Sequence, residues 1–236
     1  MSKVVTRLKL HNFRRFRKFD VSFNNEMNLL IGDNESGKSS ILQSLDLVMS
    51  GSRGKVETLG LESLMNTDVI NEFLVDSKSY EDLPVMWIEV YLNEQNNPDL
   101  NGENNSERIV CDGLRLICEP MVEYGTEITD ILKGAEPNFP FEYYSISFKT
   151  FSGESYTGYR RFMKHLLLDG SQINNEYATR EYIKEMYRAK VDDSEKHKHR
   201  NEYRKHKRQF RNNVLSELND KLDRYKFSVA TNNKSN

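Results

Sequence analysis

The chain has 236 residues, enough for one large domain or two small ones, and 37% of them are hydrophobic against 30% charged. That balance leaves part of the chain outside any core, and no run approaches the ~20 apolar residues that a membrane span needs. The net charge of −2 hides a segregation: residues 196–211 hold eight Lys or Arg against one acid, Glu202, and the remainder carries −9.

Arg7, Lys9, Arg14 and Arg15 interrupt any apolar leader, so no secretory pattern is present. The two cysteines, Cys111 and Cys118, are too few for a disulfide framework and lack metal-ligand spacing. They read as buried free thiols, and the cytoplasm is the expected compartment.

Residues 4–10 alternate β-branched, basic and apolar side chains, which suits a half-buried strand. Residues 20–23 form a second short candidate, closed by Asn24 and Asn25. The brief apolar run 27–31 ends at Gly32 and is expected to be a strand buried on both faces. Ile41, Leu42, Leu45 and Val48 then mark an amphipathic helix over 39–48, ended by Gly51. Helical spacing recurs at Leu61, Leu64, Val69, Ile70 and Phe73. Residues 85–92 read as a strand, 93–108 as a long polar hairpin loop, and 113–118 and 143–151 as further strands. From 174 onward the chain turns helical, with Ile183, Met186 and Tyr187 as apolar positions in one segment. Residues 194–225 contain no Gly or Pro, and Phe210, Val214, Leu218 and Leu222 recur every four residues. Residues 227–229 could start a final strand.

Gly32-Asp33-Asn34-Glu35-Ser36-Gly37-Lys38-Ser39 fits the phosphate-binding pattern G-x-x-x-x-G-K-[ST] without a mismatch. Glycines at both ends allow close approach and unusual dihedrals, so the intervening amides can ring the phosphates. The helix that follows adds its positive end and unpaired N–H groups. Lys38 is expected to reach the terminal phosphates and Ser39 to coordinate Mg2+ through its hydroxyl. The motif is preceded by an apolar run and followed by an amphipathic helix, which is the context this chemistry requires.

About twenty residues upstream, His11-Asn12-Phe13-Arg14-Arg15 forms a basic corner at the end of the first strand. The segment from Leu8 to Arg14, followed by that from Asn28 to Ser40, resembles the start of ABC-type ATPase heads shared by RecF, SMC and OLD-family nuclease-ATPases. Glu35, where most SMC-like members carry Gly, tilts the resemblance toward the OLD branch. The resemblance implies an α/β P-loop NTPase of ABC-ATPase head type with an inserted antiparallel β-meander and a C-terminal helical arm. An N-terminal lobe over 1–172 and an arm over 173–236, for insertion or dimerisation, follow from it. ATP and Mg2+ would be the cofactors, held by Gly32 to Ser40, with Ser40 closing the loop. Arg14 would touch the nucleotide phosphates, and Asn34 would lie near the γ-phosphate or its attacking water. The glutamine that contacts Mg2+ in such heads would be Gln172, with Gln95 as a rival.

Other family parts are missing from the sequence. The runs 85–89 and 114–119 lack the Asp-Glu pair of a Walker B strand, and neither a signature loop nor a switch histidine is found. No catalytic residue is therefore assigned, and the chain reads as the N-terminal portion of a longer ATPase that alone binds nucleotide weakly and hydrolyses it poorly. The cluster Lys198, Arg200, Arg204, Lys205, Lys207 and Arg208 fits either the backbone of DNA or a solvated helix face. Expected partners are ATP and DNA, with a homodimer or an effector nuclease in the full-length protein, no membrane, and a role in phage defence or repair. A P-loop small-molecule kinase and an ATP-binding scaffold without turnover remain as alternatives. A GTPase lacks its D-x-x-G and N/T-K-x-D motifs here.

Overall fold

The computed structural model describes residues 4–134 and 138–159, positions 162, 163, 165, 167, 183, 184, 186, 187 and 190, and residues 191–222. Two units are distinguished, residues 1–168 and 169–236, and each is described by itself.

The first unit is built on an antiparallel sheet. Its strands are β1 (Val5–Phe13), β2 (Phe16–Ser22), β3 (Met86–Leu92), β4 (Asn101–Gly102), β5 (Cys111–Pro120) and β6 (Tyr144–Thr150). β1 lies between β2 and β3, β5 pairs with β3 and with β6, and the short β4 joins the start of β5. The expected meander is antiparallel and continues the sheet of the first hairpin.

Alternation in these strands divides the sheet into two faces. Leu10, Ile88, Leu116 and Phe148 stand opposite one another across four strands, and Leu8, Val90 and Leu114 form the next rung. All seven are buried. Against them packs α1 (Lys38–Ser50), whose Leu47 and Val48 are fully covered. Four short helices complete the unit: α2 (Arg53–Leu59), α3 (Leu61–Leu64), α4 (Thr67–Asp76) and α5 (Gly125–Leu132). Ser52 caps α2 by accepting from Lys55 N, and Asn66 caps α4 by accepting from Val69 N.

The opposite face carries Lys9, Glu89 and Arg115 in one rung. The polar segment expected to be an open hairpin loop folds back over these groups. Ser106 donates its amide and hydroxyl to Glu89, each at 2.7 Å, and Glu107 pairs with Arg7 and Lys9 at 2.9 Å. Charge on that face is therefore matched by charge in the loop.

Gly113 shows how closely this edge is packed. A Cβ there would lie 2.2 Å from the ring of Phe151, itself only 1% exposed. Gly113→Ala is expected to cost about 1–3 kcal/mol by overpacking, lowering the melting temperature by about 2–4 °C for each kcal/mol. Differential scanning calorimetry checks this.

Residues 27–31 depart from expectation. They form no strand, and Met27, Leu29 and Ile31 are 82%, 76% and 85% exposed. A strand needs a neighbour, and both flanks of β1 are already taken, by β2 and β3. Leu30 alone in this run packs toward the core.

Burial of Cys118 pushes its thiol up to about 12, and Cys111, partly exposed, is pushed up to about 11 by burial and then by Asp112. Both thiols are free, although only Cys118 is buried as expected.

In the second unit the described residues contain one long helix, α6 (Asp193–Leu222), within the stretch expected to be helical. No helix among the described residues is long and apolar enough to cross a membrane.

Candidate phosphate-binding site

The loop of residues 32–37 joins the exposed run 27–31 to α1. Ser36 N donates to Asp33 O at 3.2 Å, closing a tight turn, and Ile41 N donates to Gly37 O at 3.0 Å, which starts the helix. Gly37 is the helix N-cap with φ of 99°, a left-handed conformation that glycine adopts without steric cost. Glu35 also lies at positive φ, 69°, where a side chain costs roughly 1 kcal/mol. Position 35 is thus one that suits Gly, and this chain holds Glu there under strain.

No side chain caps α1, and no acid occupies its first turn. The first amides of any helix lack intrahelical partners. In α2 and α4 a side chain takes one of them, whereas in α1 they stay open to an anion.

Lys38 lies across its own loop. Its Nζ donates to Gly32 O and Asp33 O, both at 2.6 Å, and to Ser36 Oγ at 3.2 Å. These acceptors hold the ammonium over the mouth of the loop. Asp33, Asn34, Glu35, Ser36 and Ser39 are exposed, whereas Ser40 is buried at the start of the core face of α1. Lys38 and Ser39 line one end of a cavity of about 730 Å3, continued by Leu30, Ile41, Leu42, Leu45, Phe23 and Met163. The Ser39 hydroxyl makes no hydrogen bond among the described residues and fits the Mg2+ ligand role. Among those residues no group of three His, Cys, Asp or Glu could hold a metal by itself.

The basic corner is tied to neighbouring segments through its backbone and Asn12, while Arg14 Nε is buried with no hydrogen-bond partner among the described residues. Asn12, 7% exposed, donates through Nδ2 to Val85 O at 2.9 Å. Arg14 N donates to Leu64 O and Asn66 Nδ2 donates to Arg14 O, both at 2.6 Å. Arg14 and Arg15 line a cavity of about 410 Å3 with Ser63, Met65, Asn66, Thr67 and Asp68. The contact between this corner and the loop is made by the next two residues. A Cβ on Gly37 would lie 3.0 Å from Arg15 Cδ and 2.5 Å from Phe16 Cζ.

Of the two candidate glutamines, Gln95 uses its Nε2 on Asn93 O and Asn93 Oδ1, and Gln172 lies outside the described residues. Glu89, in the run nearest to a Walker B pattern, is fully buried with Ser106 and Arg115 and is unavailable as a base. A cluster not foreseen ties α1 to the segment after β6. Asp46 Oδ1 meets His165 Nε2 at 2.8 Å, and Lys55 Nζ meets Asp46 Oδ2 at 2.7 Å. Burial works to raise the Asp46 carboxyl, but these hydrogen bonds outweigh it and hold it below the usual carboxylate range.

In the second unit Lys198, Arg204, Lys205, Lys207 and Arg208 are exposed on α6, which also carries Arg200, whose side chain lies outside the described residues. Tyr203, Phe210 and Val214, spaced seven and four, share one exposed face. The side chains of Leu218 and Leu222 lie outside the described residues. Tyr187 and His199 hydrogen-bond at 2.9 Å.

A family model described as an AAA ATPase domain matches residues 4–236. Among curated proteins, the DNA replication and repair protein RecF of Stenotrophomonas maltophilia is 46% identical over 54 residues, 22% of this chain and 15% of the relative. RecF of Xanthomonas axonopodis pv. citri is 43% identical over 54 residues, with the same coverage of 22% and 15%. The DNA double-strand break repair Rad50 ATPase of Methanococcus maripaludis is 30% identical over 80 residues, 33% of this chain and 8% of the relative. The matched part spans a small fraction of these relatives, 15% at most.

Proposed function

The chain belongs to the AAA ATPase domain family, and from that premise we propose that it is the nucleotide-binding N-terminal part of a DNA-processing ATPase. The observation that carries this reading is the loop at Gly32 to Ser39: Lys38 poised at its mouth, Ser39 free for Mg2+, and the N-terminus of α1 uncapped. ATP binds with its phosphates over the amides of residues 33–39, and Mg2+ supplies charge neutralisation at the phosphates. Similarity to RecF and Rad50 supports a DNA-linked role, and the resemblance of the loop to OLD-type members suggests phage defence or repair in the cytoplasm.

In this reading residues 1–172 form the first lobe of an ABC-type head and 173–236 a helical arm used in dimerisation or in docking an effector nuclease. The exposed alternation of Met27, Leu29 and Ile31 supports a lobe whose sheet beside the loop is completed by further strands of a longer protein. A binding module without turnover is the second reading, favoured by the burial of Glu89 away from any reacting group. Titration of the chain with Mg-ATP, followed by phosphate release with and without DNA, tests both. Micromolar or weaker binding with little turnover is the expected result. Brisk DNA-independent phosphorylation of a small molecule would point to a kinase instead.

The basic surface of α6 is the proposed DNA contact. Replacing Lys205, Lys207 and Arg208 together by Gln is expected to weaken DNA binding and reduce the slope of log affinity against log salt by up to about 3. Fluorescence anisotropy at several salt concentrations measures it. An unchanged slope removes DNA from this helix.

A further inference from the structure

We propose that the cavity beside the first turns of α6, lined by Tyr187, His199, Tyr203 and Arg204, takes an unpaired nucleobase. The nucleic acid on α6 is then single-stranded where it meets that cavity. The inference rests on the reading of α6 as the DNA contact and names the form of the DNA.

The helix sets these residues out by its own period. His199 and Tyr203 are four residues apart and Lys207 follows after four more, so all three lie along one face of α6. Tyr187, from the segment before the helix, is brought to the same place. Its hydroxyl shares a hydrogen bond of 2.9 Å with His199 Nδ1, and the two rings lie with centroids 5.8 Å apart and planes tilted by 42°. That bond engages the polar tip of Tyr187 and holds its ring as a wall. The cavity so formed has a volume of about 510 Å3, within the roughly 300–1,000 Å3 of ordinary small-ligand sites. Three rings and a guanidinium line it, with no acid among the described residues.

Charge and shape together select the occupant. Residues 196–211 hold eight Lys or Arg against one acid, which favours a polyanion. The cavity itself offers flat apolar faces, and Tyr203 leaves 68% of its surface to solvent. An acidic peptide supplies the charge without a planar ring beside each charge. A duplex supplies the charge but keeps its rings inside the stack. A single strand offers both: phosphates for Lys205, Lys207 and Arg208, and free base faces for Tyr203. Arg204 suits either part, since a guanidinium stacks on a base or forks onto a phosphate. Every base has such a face, so the contact should carry little sequence preference.

The test is fluorescence anisotropy on the full chain with three probes of equal length: a single-stranded oligothymidylate, the same strand with its bases removed, and a blunt duplex. The parent is expected to bind the base-bearing strand about tenfold more tightly than the abasic one. Tyr203→Ala should lose that tenfold while keeping the duplex affinity and the salt slope, and Tyr203→Phe should retain it, because stacking uses the ring and not the hydroxyl. Replacing Lys205, Lys207 and Arg208 by Gln should weaken all three probes. If the parent binds abasic and base-bearing strands equally while the triple variant weakens both, the cavity assignment is overturned and the DNA reading stands. An equal loss of duplex binding in Tyr203→Ala also overturns it, since the helix itself would then have changed. So does a Tyr203→Ala variant that alters the sedimentation coefficient and leaves oligonucleotide affinity unchanged, because a second copy of the chain would then fill the cavity. If the parent binds none of the probes, or the triple variant binds them as the parent does, the DNA reading falls and this inference with it.

Discussion

Lys38→Ala is expected to reduce ATP affinity more than a hundredfold. In the free chain the ammonium is shared among Gly32 O, Asp33 O and Ser36 Oγ. On binding, these neutral acceptors give way to phosphate oxygens, and a charge-assisted hydrogen bond contributes about 1.5–3 kcal/mol. The loss has a second source. Lys38 connects the start of the loop to the start of α1, so its removal frees the carbonyls of Gly32 and Asp33 and loosens the ring of amides. Each source alone accounts for roughly tenfold or more, since 1.4 kcal/mol is a factor of ten in affinity. The fold should be unaffected, because Leu47 and Val48 on the same helix stay buried against the sheet. Isothermal titration calorimetry paired with a melting curve separates the two effects. Wild-type affinity in the mutant would mean that the loop does not hold the phosphates.

The largest stability loss is expected from Glu89→Ala. The carboxylate is fully buried on the face away from α1 and accepts from Ser106 N and Ser106 Oγ at 2.7 Å and from Tyr91 OH at 3.1 Å. Arg115 Nε lies 3.2 Å away, close enough for ionic attraction although too bent for a hydrogen bond. Alanine leaves the guanidinium, 17% exposed as a side chain, with the Trp87 ring 5.5 Å off as a weak substitute. It also strips the loop over the sheet of its central anchor. Breaking a buried pair by removing one partner costs about 3–5 kcal/mol. At about 2–4 °C for each kcal/mol, melting should fall by roughly 10 °C. ATP affinity of the folded fraction should stay within about twofold, because the site lies on the α1 side of the sheet. A shift below about 2 °C would show that the loop is held by its other ion pairs, those of Glu107.

Much of this could be read from residues alone, for identifiable reasons. Ile41, Leu45 and Val48 report one helix because a helix carries its own period, and Gly51 ends it in the left-handed conformation expected of such a glycine. The strands at 5–13, 86–92 and 144–150 were legible because one face is apolar and the other is not. Residues 27–31 were misread since apolar runs say that burial is wanted, whereas pairing depends on neighbours that local pattern cannot supply. The same limit hid the return of Ser106 and Glu107 onto Lys9 and Glu89, a contact made across 17 and 98 residues of sequence. At the basic corner Asn12 and Arg14 were visible as a pattern, whereas the bonds that fix the turn come from Val85, Leu64 and Asn66, fifty or more residues away in sequence.

The most direct measurement is a crystal structure of the chain with ATP and Mg2+. The account predicts triphosphate density over the amides of residues 33–39, with Lys38 Nζ moved from the carbonyls of Gly32 and Asp33 onto phosphate oxygens and Ser39 Oγ on the metal. Lys38 still bonded to its own loop, at saturating nucleotide and with no phosphate beside it, would contradict the account.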